Sequence, residues 1–205
     1  FGTADIKTAL HGRFNAFNVT AAVVAVTGLG FPFTEVANAA SHLLPVDGRM
    51  QEVKGGSDIR VVVDYAHTPD ALSSALSALK QSCTGALWVV FGCGGDRDAG
   101  KRPEMGRIAD SLADQLVVTN DNPRSESPEM IAEDILVGIT GSPCHVELDR
   151  GAAIRHAVLN ARSGDTVLVA GKGHENYQLV GKHKIDFSDV SCAAEVLRER
   201  EAAHA

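Results

Sequence analysis

The sequence is poor in several features, and each scarcity excludes something. Lys+Arg number 19 against Asp+Glu 26, for a net charge of −7. No broad basic footprint is available for sequence-independent DNA or RNA binding. A few arginines in a cleft can still hold a small anion, because their field acts locally. Long apolar runs are missing too. The most apolar stretch, Thr20–Phe31, is broken by Gly28 and Gly30 and falls short of the ~20 residues of a membrane span. No charged segment followed by an apolar one reads as a secretory signal. The four cysteines, Cys83, Cys93, Cys144 and Cys192, show no C-x-x-C spacing. They read as reduced thiols, which implies a cytoplasmic location and neither a disulfide framework nor a zinc site. The eight histidines show no H-x-x-x-H pair. His11, His42, His145, His156, His183 and His204 read as solvated or packed residues, and no metal site is expected. Neither G-x-G-x-x-G nor G-x-x-x-x-G-K-[ST] occurs, which counts against a nucleotide-dependent oxidoreductase and removes the usual phosphate loop.

Hydrophobic residues make up 44% of the 205, and glycines number 20 against 5% aromatics. That balance fits a globular α/β protein of one to two domains with many tight loops. No repeat or low-complexity run is visible. The first ~45 residues differ in pattern from the rest. Asn15–Gly28 predicts one helix. Thr34–Leu44 predicts a second, with Pro32 just ahead of it and Pro45 ending it. The linker candidate is Leu44–Gly48, and the expected domains are 1–44 and 45–205.

From Ile59 onward, strand and helix patterns alternate. Ile59–Asp64, Ala86–Phe91, Gln115–Thr119, His145–Leu148 and Thr166–Ala170 read as strands. Thr68 caps a helix with Pro69 at its first position and Asp70 suited to the dipole; Leu72, Leu76 and Leu79 share one face. Further helices are expected near Pro103–Leu112, from Ser127 and Pro128 with Ile131, Ile135 and Ile139 on one side, from Asp149 with Ile154, Ala157, Val158 and Ala161 inward, and from Ser188. Tyr177–Val180 and Lys184–Phe187 read as a hairpin around Gly181, a candidate antiparallel edge. The fold class is therefore α/β, a Rossmann-like, doubly wound, mostly parallel sheet preceded by a short helical segment.

In such sheets ligands bind beyond the carboxyl ends of the strands. The unusual residues follow the strands. Asp64–His67 trails the first, Gly92–Asp98 the second, Asn120–Arg124 the third and Gly171–Glu175 the fifth. Each loop also has a plain reading. Asp64 and His67 fit a turn and a cap; Gly92–Gly95 fits a tight turn; Asp121-Asn122-Pro123 is ordinary turn chemistry; Gly171 and Gly173 fit a βα turn. Together they make a crevice lined with both charge signs.

The loops, taken in order, resemble a known family. GRFNAFN (Gly12–Asn18), DGRM (Asp47–Met50), DYAHTPD (Asp64–Asp70), GCGGDRDAGKRP (Gly92–Pro103), DNPR (Asp121–Arg124) and GKGHE (Gly171–Glu175) are similar to the motifs of the Mur ligases of peptidoglycan synthesis, in particular the MurE type. The likeness runs along essentially the whole chain. It implies that residues 1–44 are the tail of a central ATPase domain and 45–205 the C-terminal amino-acid-binding domain. The family's P-loop, carbamylated lysine and acidic Mg²⁺ ligands lie upstream of Gly12. Since the chain also starts at Phe1 without an initiator methionine, it reads as a C-terminal piece, expected to be inactive alone.

The activity implied is an ATP-dependent addition of meso-diaminopimelate to UDP-MurNAc-L-Ala-D-Glu through an acyl phosphate, with ATP and Mg²⁺ as cofactors. By resemblance, Arg97, Asp121, Asn122, Pro123, Arg124, Gly171 and Glu175 bind the amino acid. Arg124 takes its distal carboxylate in a two-pronged pair, Arg97 contacts a carboxylate and Glu175 meets the far ammonium. Asn15, Asn18, Arg49, Asp64 and His67 are placed near ATP, although Arg49 also suits a linker anchor. No general base is assigned. Expected partners are the UDP-linked dipeptide, diaminopimelate and ATP, with no nucleic acid or membrane and a monomeric state. The competing readings are a lysine-adding Mur ligase and a non-catalytic module that binds diaminopimelate or a protein partner.

Overall fold

The computed structural model describes residues 2–10, 12–55 and 58–204. Phe1, His11 and the side chain of His204, named above, lie outside what is described. The chain separates into two compact units, Phe1–Val46 and Asp47–Ala205.

In the first unit, α1 (Arg13–Gly28) follows Gly12, whose φ of 91° suits a residue without a Cβ. The helix begins ahead of the expected Asn15, because Arg13 and Phe14 also fit a first turn. The second helix, α2 (Phe33–Ala40), has Pro32 at its cap position. It stops short of Leu44, so Pro45 does not end it. The Ser41 and His42 amides turn back onto the Asn38 and Ala39 carbonyls, and this tighter winding closes the last turn. Val19, Val23 and Ala40 form the unit's small core, with Ile6, Leu10, Phe33 and Val36 packed on it.

The second unit is built on a six-stranded sheet. Its elements are β1 (Gln51–Glu52), β2 (Arg60–Asp64), α3 (Pro69–Lys80), β3 (Leu87–Phe91), α4 (Lys101–Leu112), β4 (Gln115–Val118), α5 (Pro128–Leu136), β5 (Cys144–Val146), α6 (Arg150–Asn160), β6 (Thr166–Ala170), β7 (Tyr177–Val180), β8 (His183–Asp186) and α7 (Asp189–His204). The order across the sheet is β1-β2-β6-β3-β4-β5, parallel throughout except for antiparallel β1. Every residue of β3 and β6 is buried, as expected of central parallel strands covered on both faces. Val61, Val63, Val90, Val117, Val167 and Val169 point into a core closed by Ala153, Ile154, Ala157 and Val158 of α6 and Ala193, Val196 and Leu197 of α7. On the opposite face α3, α4 and α5 pack in a row. Helices on two faces of a parallel sheet make the unit doubly wound.

Side-chain caps start four helices. Thr68, Ser127, Asp149 and Ser188 accept from the amides of Ala71, Met130, Ala152 and Ser191. Ile139 lies beyond α5, which ends at Leu136. Leu148 lies beyond β5. The hairpin departs from expectation more clearly: β7 and β8 form a separate two-stranded sheet, and the antiparallel edge of the main sheet is β1. Half-buried β7 and exposed β8 carry no continuous apolar face that would favour joining the buried sheet.

Candidate functional site

The parallel register decides which loops meet. Asp64 pairs with Ala170, Val90 with Val169 and Phe91 with Val118. The carboxyl ends of β2, β6, β3 and β4 therefore come level, and the loops after them share one edge.

At the β2 end, Asp64 is buried and its Oδ2 accepts from the Met50 amide at 2.7 Å. Burial raises its carboxyl above the ordinary value, against the pull of that amide and of Arg49. Exposed Arg49 lies over the Tyr65 ring, its Cζ 4.7 Å from the centroid, so it is stacked beside Asp64 within the second unit. His67 meets Tyr65 edge-on with centroids 4.6 Å apart, and its backbone carbonyl accepts from Lys101 Nζ at 2.7 Å. The Asp47–Met50 turn lies directly on the Gly171–Glu175 loop. A Cβ on Gly48 would stand 2.0 Å from the His174 nitrogen, so only glycine permits this approach.

Beyond β4 and β6 lies a closed polar network. Lys172 is fully enclosed. Its Nζ reaches Asn122 Oδ1 at 3.1 Å, Glu175 Oε2 at 3.2 Å and Asp121 Oδ1 at 3.7 Å. Asn122 Nδ2 donates to the same Glu175 Oε2 at 3.0 Å, and Asn122 Oδ1 also accepts from the Leu179 amide. Gly171, at φ +119°, passes so close to Asp121 that a Cβ would stand 2.8 Å from Oδ2. Underneath, Arg150 grips Asp189 through two hydrogen bonds of 2.7 and 2.8 Å and donates to the carbonyls of Asn120 and Ala170. This buried pair ties the starts of both loops together.

The arginines are held differently. Arg124 Nη1 donates to the Gly95 carbonyl at 2.8 Å, and its backbone, at φ 52°, is fixed by the Leu179 carbonyl and the Gly181 amide. Arg97 is exposed and donates only to the Asp96 carbonyl. Among the described residues neither arginine has an acidic ion-pair partner. Both flank Gly94: a Cβ there would lie 2.9 Å from Arg124 Nη1 and 3.7 Å from Arg97 Cγ. The Pro123 carbonyl leaves room only for glycine at position 95, where a Cβ would stand 1.9 Å from it. Asn122 bridges the two halves, since its carbonyl approaches Arg124 Nη1 at 3.4 Å while its side chain holds Glu175. The nearby Asp96 carboxylate feels both guanidinium charges but is bonded to Ser125. Two arginines that form no ion pair among the described residues, next to carboxylates with spare acceptor capacity, suit a ligand carrying both an anionic and a cationic group.

Arg97, Asp121, Asn122, Pro123, Arg124, Gly171, Glu175, Arg49, Asp64 and His67 all lie around the carboxyl edge of the second unit. Asn15 and Asn18 belong to the first unit, one turn apart at the start of α1, with Asn18 Nδ2 3.4 Å from Asn15 Oδ1. Among the described residues no group of three or more His, Cys, Asp or Glu could hold a metal ion, and no helix is long and apolar enough to cross a membrane. Four members of the edge escape sequence reasoning. Lys172 reads as part of a glycine turn, although a charge between two glycines at a strand end is unusual. Arg150 sits in the first turn of α6, where a cation opposes the helix dipole; that misfit signals a partner elsewhere. Gln178, whose Nε2 donates to the Asp121 carbonyl at 2.9 Å, and Leu179, whose amide holds Asn122, leave no local signal at all.

Known proteins supply the context. The pattern described as "Mur ligase, glutamate ligase domain" matches residues 48–173. A Vibrio vulnificus protein named UDP-N-acetylmuramoyl-L-alanyl-D-glutamate–2,6-diaminopimelate ligase is 48% identical over 96% of this chain. A Chromobacterium violaceum protein of the same name is 51% identical over 96% of it. The chain spans 40% of the length of each of these relatives. A solved ligase of that name matches with a TM-score of 0.74 and 41% identity, covering 100% of this chain and 42% of its own. The MurC structure from Thermotoga maritima shares the fold at 19% identity, with a TM-score of 0.68 over 99% of this chain and 41% of its own.

Proposed function

This chain belongs to the Mur ligase family, matched in its glutamate ligase domain, and on that premise we propose that it is the amino-acid-selecting part of an ATP-dependent ligase that adds meso-diaminopimelate to UDP-MurNAc-L-Ala-D-Glu. The observation that carries the reading is the pair Arg97 and Arg124, in no ion pair among the described residues, standing beside Glu175 and Asp121 across Asn122. Diaminopimelate differs from lysine by one carboxylate at its far end. Arg124 gives that carboxylate a planar, two-pronged partner; lysine leaves the guanidinium unmatched. Arg97 adds a second cation to the same face, and Glu175 receives the far ammonium.

The amide bond forms in two steps. ATP transfers its γ-phosphoryl group to the D-glutamyl carboxylate, and the amino-acid amine displaces phosphate from the resulting acyl phosphate. This chain's part is to hold the amine in line and keep water from the intermediate. Arg49, Asp64 and His67 in the second unit are read as nucleotide contacts, supported by their place at the β2 end, and Asn15 and Asn18 in the first unit are read as nucleotide contacts by the family motif alone. Mg²⁺ neutralises phosphate charge in such a transfer, and no residue here is assigned to it. The protein acts in the cytoplasm as a monomer, and this chain by itself hydrolyses no ATP.

The test is the full-length ligase assayed with meso-diaminopimelate and with L-lysine, wild type beside Arg124→Ala. The expected result is turnover of diaminopimelate alone, lost in the variant. Equal use of lysine by the wild type overturns the reading and favours a lysine-adding enzyme. ATP hydrolysis by the 205-residue chain alone would contradict its dependence on the rest of the protein.

A further inference from the structure

A lysine with no accessible surface needs an explanation. Burying an ammonium is costly unless it is paired and fully hydrogen-bonded. Lys172 Nζ has three donors and three oxygens around it: Asn122 Oδ1 at 3.1 Å, Glu175 Oε2 at 3.2 Å and Asp121 Oδ1 at 3.7 Å. The Tyr177 ring closes a further side, its centroid 5.5 Å away. With Asn122 Nδ2 also donating to Glu175 Oε2, three side chains form a closed triangle. Among the described residues the hydrogen bonds to the Glu175 carboxylate fall on Oε2, which leaves Oε1 open. The charges decide more. Asp121 and Glu175 bring two negative charges and Lys172 one positive, while Arg150 is already matched by Asp189. One negative charge remains, enough for a single ammonium.

We propose that Lys172 is a positioning residue: it occupies Glu175 Oε2 and fixes Asn122, so that Oε1 and one net negative charge are presented to the ammonium of the incoming amino acid. This rests on the amino-acid-ligase reading above and extends it to a residue that never touches the reacting atoms. Its effect runs through Glu175, so it falls on amino-acid affinity and leaves nucleotide affinity alone.

The experiment uses the full-length enzyme with Lys172→Met, Lys172→Gln and Lys172→Arg, each checked by thermal unfolding. The Met variant is expected to raise the KM for meso-diaminopimelate by about 10- to 100-fold, the worth of one charge-assisted hydrogen bond, with the KM for ATP unchanged. The Gln variant keeps a donor without the charge and restores part of the affinity. The Arg variant is too large for the enclosed space and resembles Met. If Met does not fold, Gln carries the test, with the same rise in smaller measure. An unchanged KM for the amino acid in folded Met or Gln overturns the proposal. So does an equal rise in both KM values, the mark of general disruption. If the wild type turns over a different amino acid, the diaminopimelate assignment fails, and the same variants read with that amino acid still decide the role of Lys172. If the wild type turns over none, both fall together.

Discussion

The two walls of the crevice are made of similar loops and held in opposite ways. On one wall Asp121, Asn122, Lys172 and Glu175 are buried or half-buried and bonded to each other, above the enclosed Arg150–Asp189 pair. On the other, among the described residues the side chains of Arg97 and Arg124 donate hydrogen bonds only to backbone carbonyls. A carboxylate wall can be completed in advance, because a resident lysine takes one oxygen and leaves another. An arginine wall cannot, because an internal carboxylate would compete with the ligand for the same fork. Preorganisation on one side and deliberate vacancy on the other is how a site can be rigid and still selective.

Breaking the foundation of the rigid wall gives the largest expected effect. Arg150→Met strands Asp189 without its cation in a dry interior and is expected to lower the unfolding free energy by about 3–5 kcal/mol in urea titrations. A loss under ~1 kcal/mol would mean that the loops do not rest on this pair. Next comes the open wall. Arg124→Ala is expected to weaken diaminopimelate binding by about 2–5 kcal/mol in calorimetry of the full-length enzyme. Because Arg124 forms no ion pair among the described residues, and only the exposed Asp96 carboxylate feels its charge, stability should move by no more than ~0.5 kcal/mol, and a larger drop would erase the contrast between the walls.

Gly171→Ala probes the rigid wall more gently. It forces a Cβ to 2.8 Å from Asp121 Oδ2 at a φ of +119°. A cost of about 1–3 kcal/mol in thermal unfolding is expected. The smallest effect comes from a carboxylate away from both walls. The amides of Thr140 and Ser142 pull the Asp110 carboxyl from 3.8 down to about 2. A folded value below the unfolded one adds stability that is complete above pH ~4 and lost as pH falls toward about 2. Asp110→Asn should flatten that acid limb while leaving the neutral-pH difference between the Arg150 and Arg124 variants unchanged. Solvent screening keeps the effect well below its unscreened size.

Much of the frame is legible in the residues. Central strands buried on both faces read as apolar runs, so Thr166–Ala170 is visible end to end. Caps are visible because Thr68, Ser127, Asp149 and Ser188 have the one oxygen a helix start needs. What stays hidden depends on partners distant in sequence. A two-residue strand such as Gln51–Glu52 has no periodicity, and nothing local says that β7 and β8 form a sheet apart from the main one. For the crevice, the polar loops announce themselves by following strands. Which side chain meets which is set by register: Lys172 reaches Asn122 only because β6 and β4 end level, on either side of β3.

One contact has a bearing on how such enzymes diverge. The backbone of Arg124 is held between the Leu179 carbonyl and the Gly181 amide, and no residue of the β7–β8 ribbon belongs to the buried core. A one-residue insertion in β7 would slide that anchor by about 3.3 Å and carry the guanidinium with it. On the proposed reading of Arg124, substrate choice can thus drift through insertions and deletions in a surface ribbon. The arginine can keep its place in the sequence while its address in space changes.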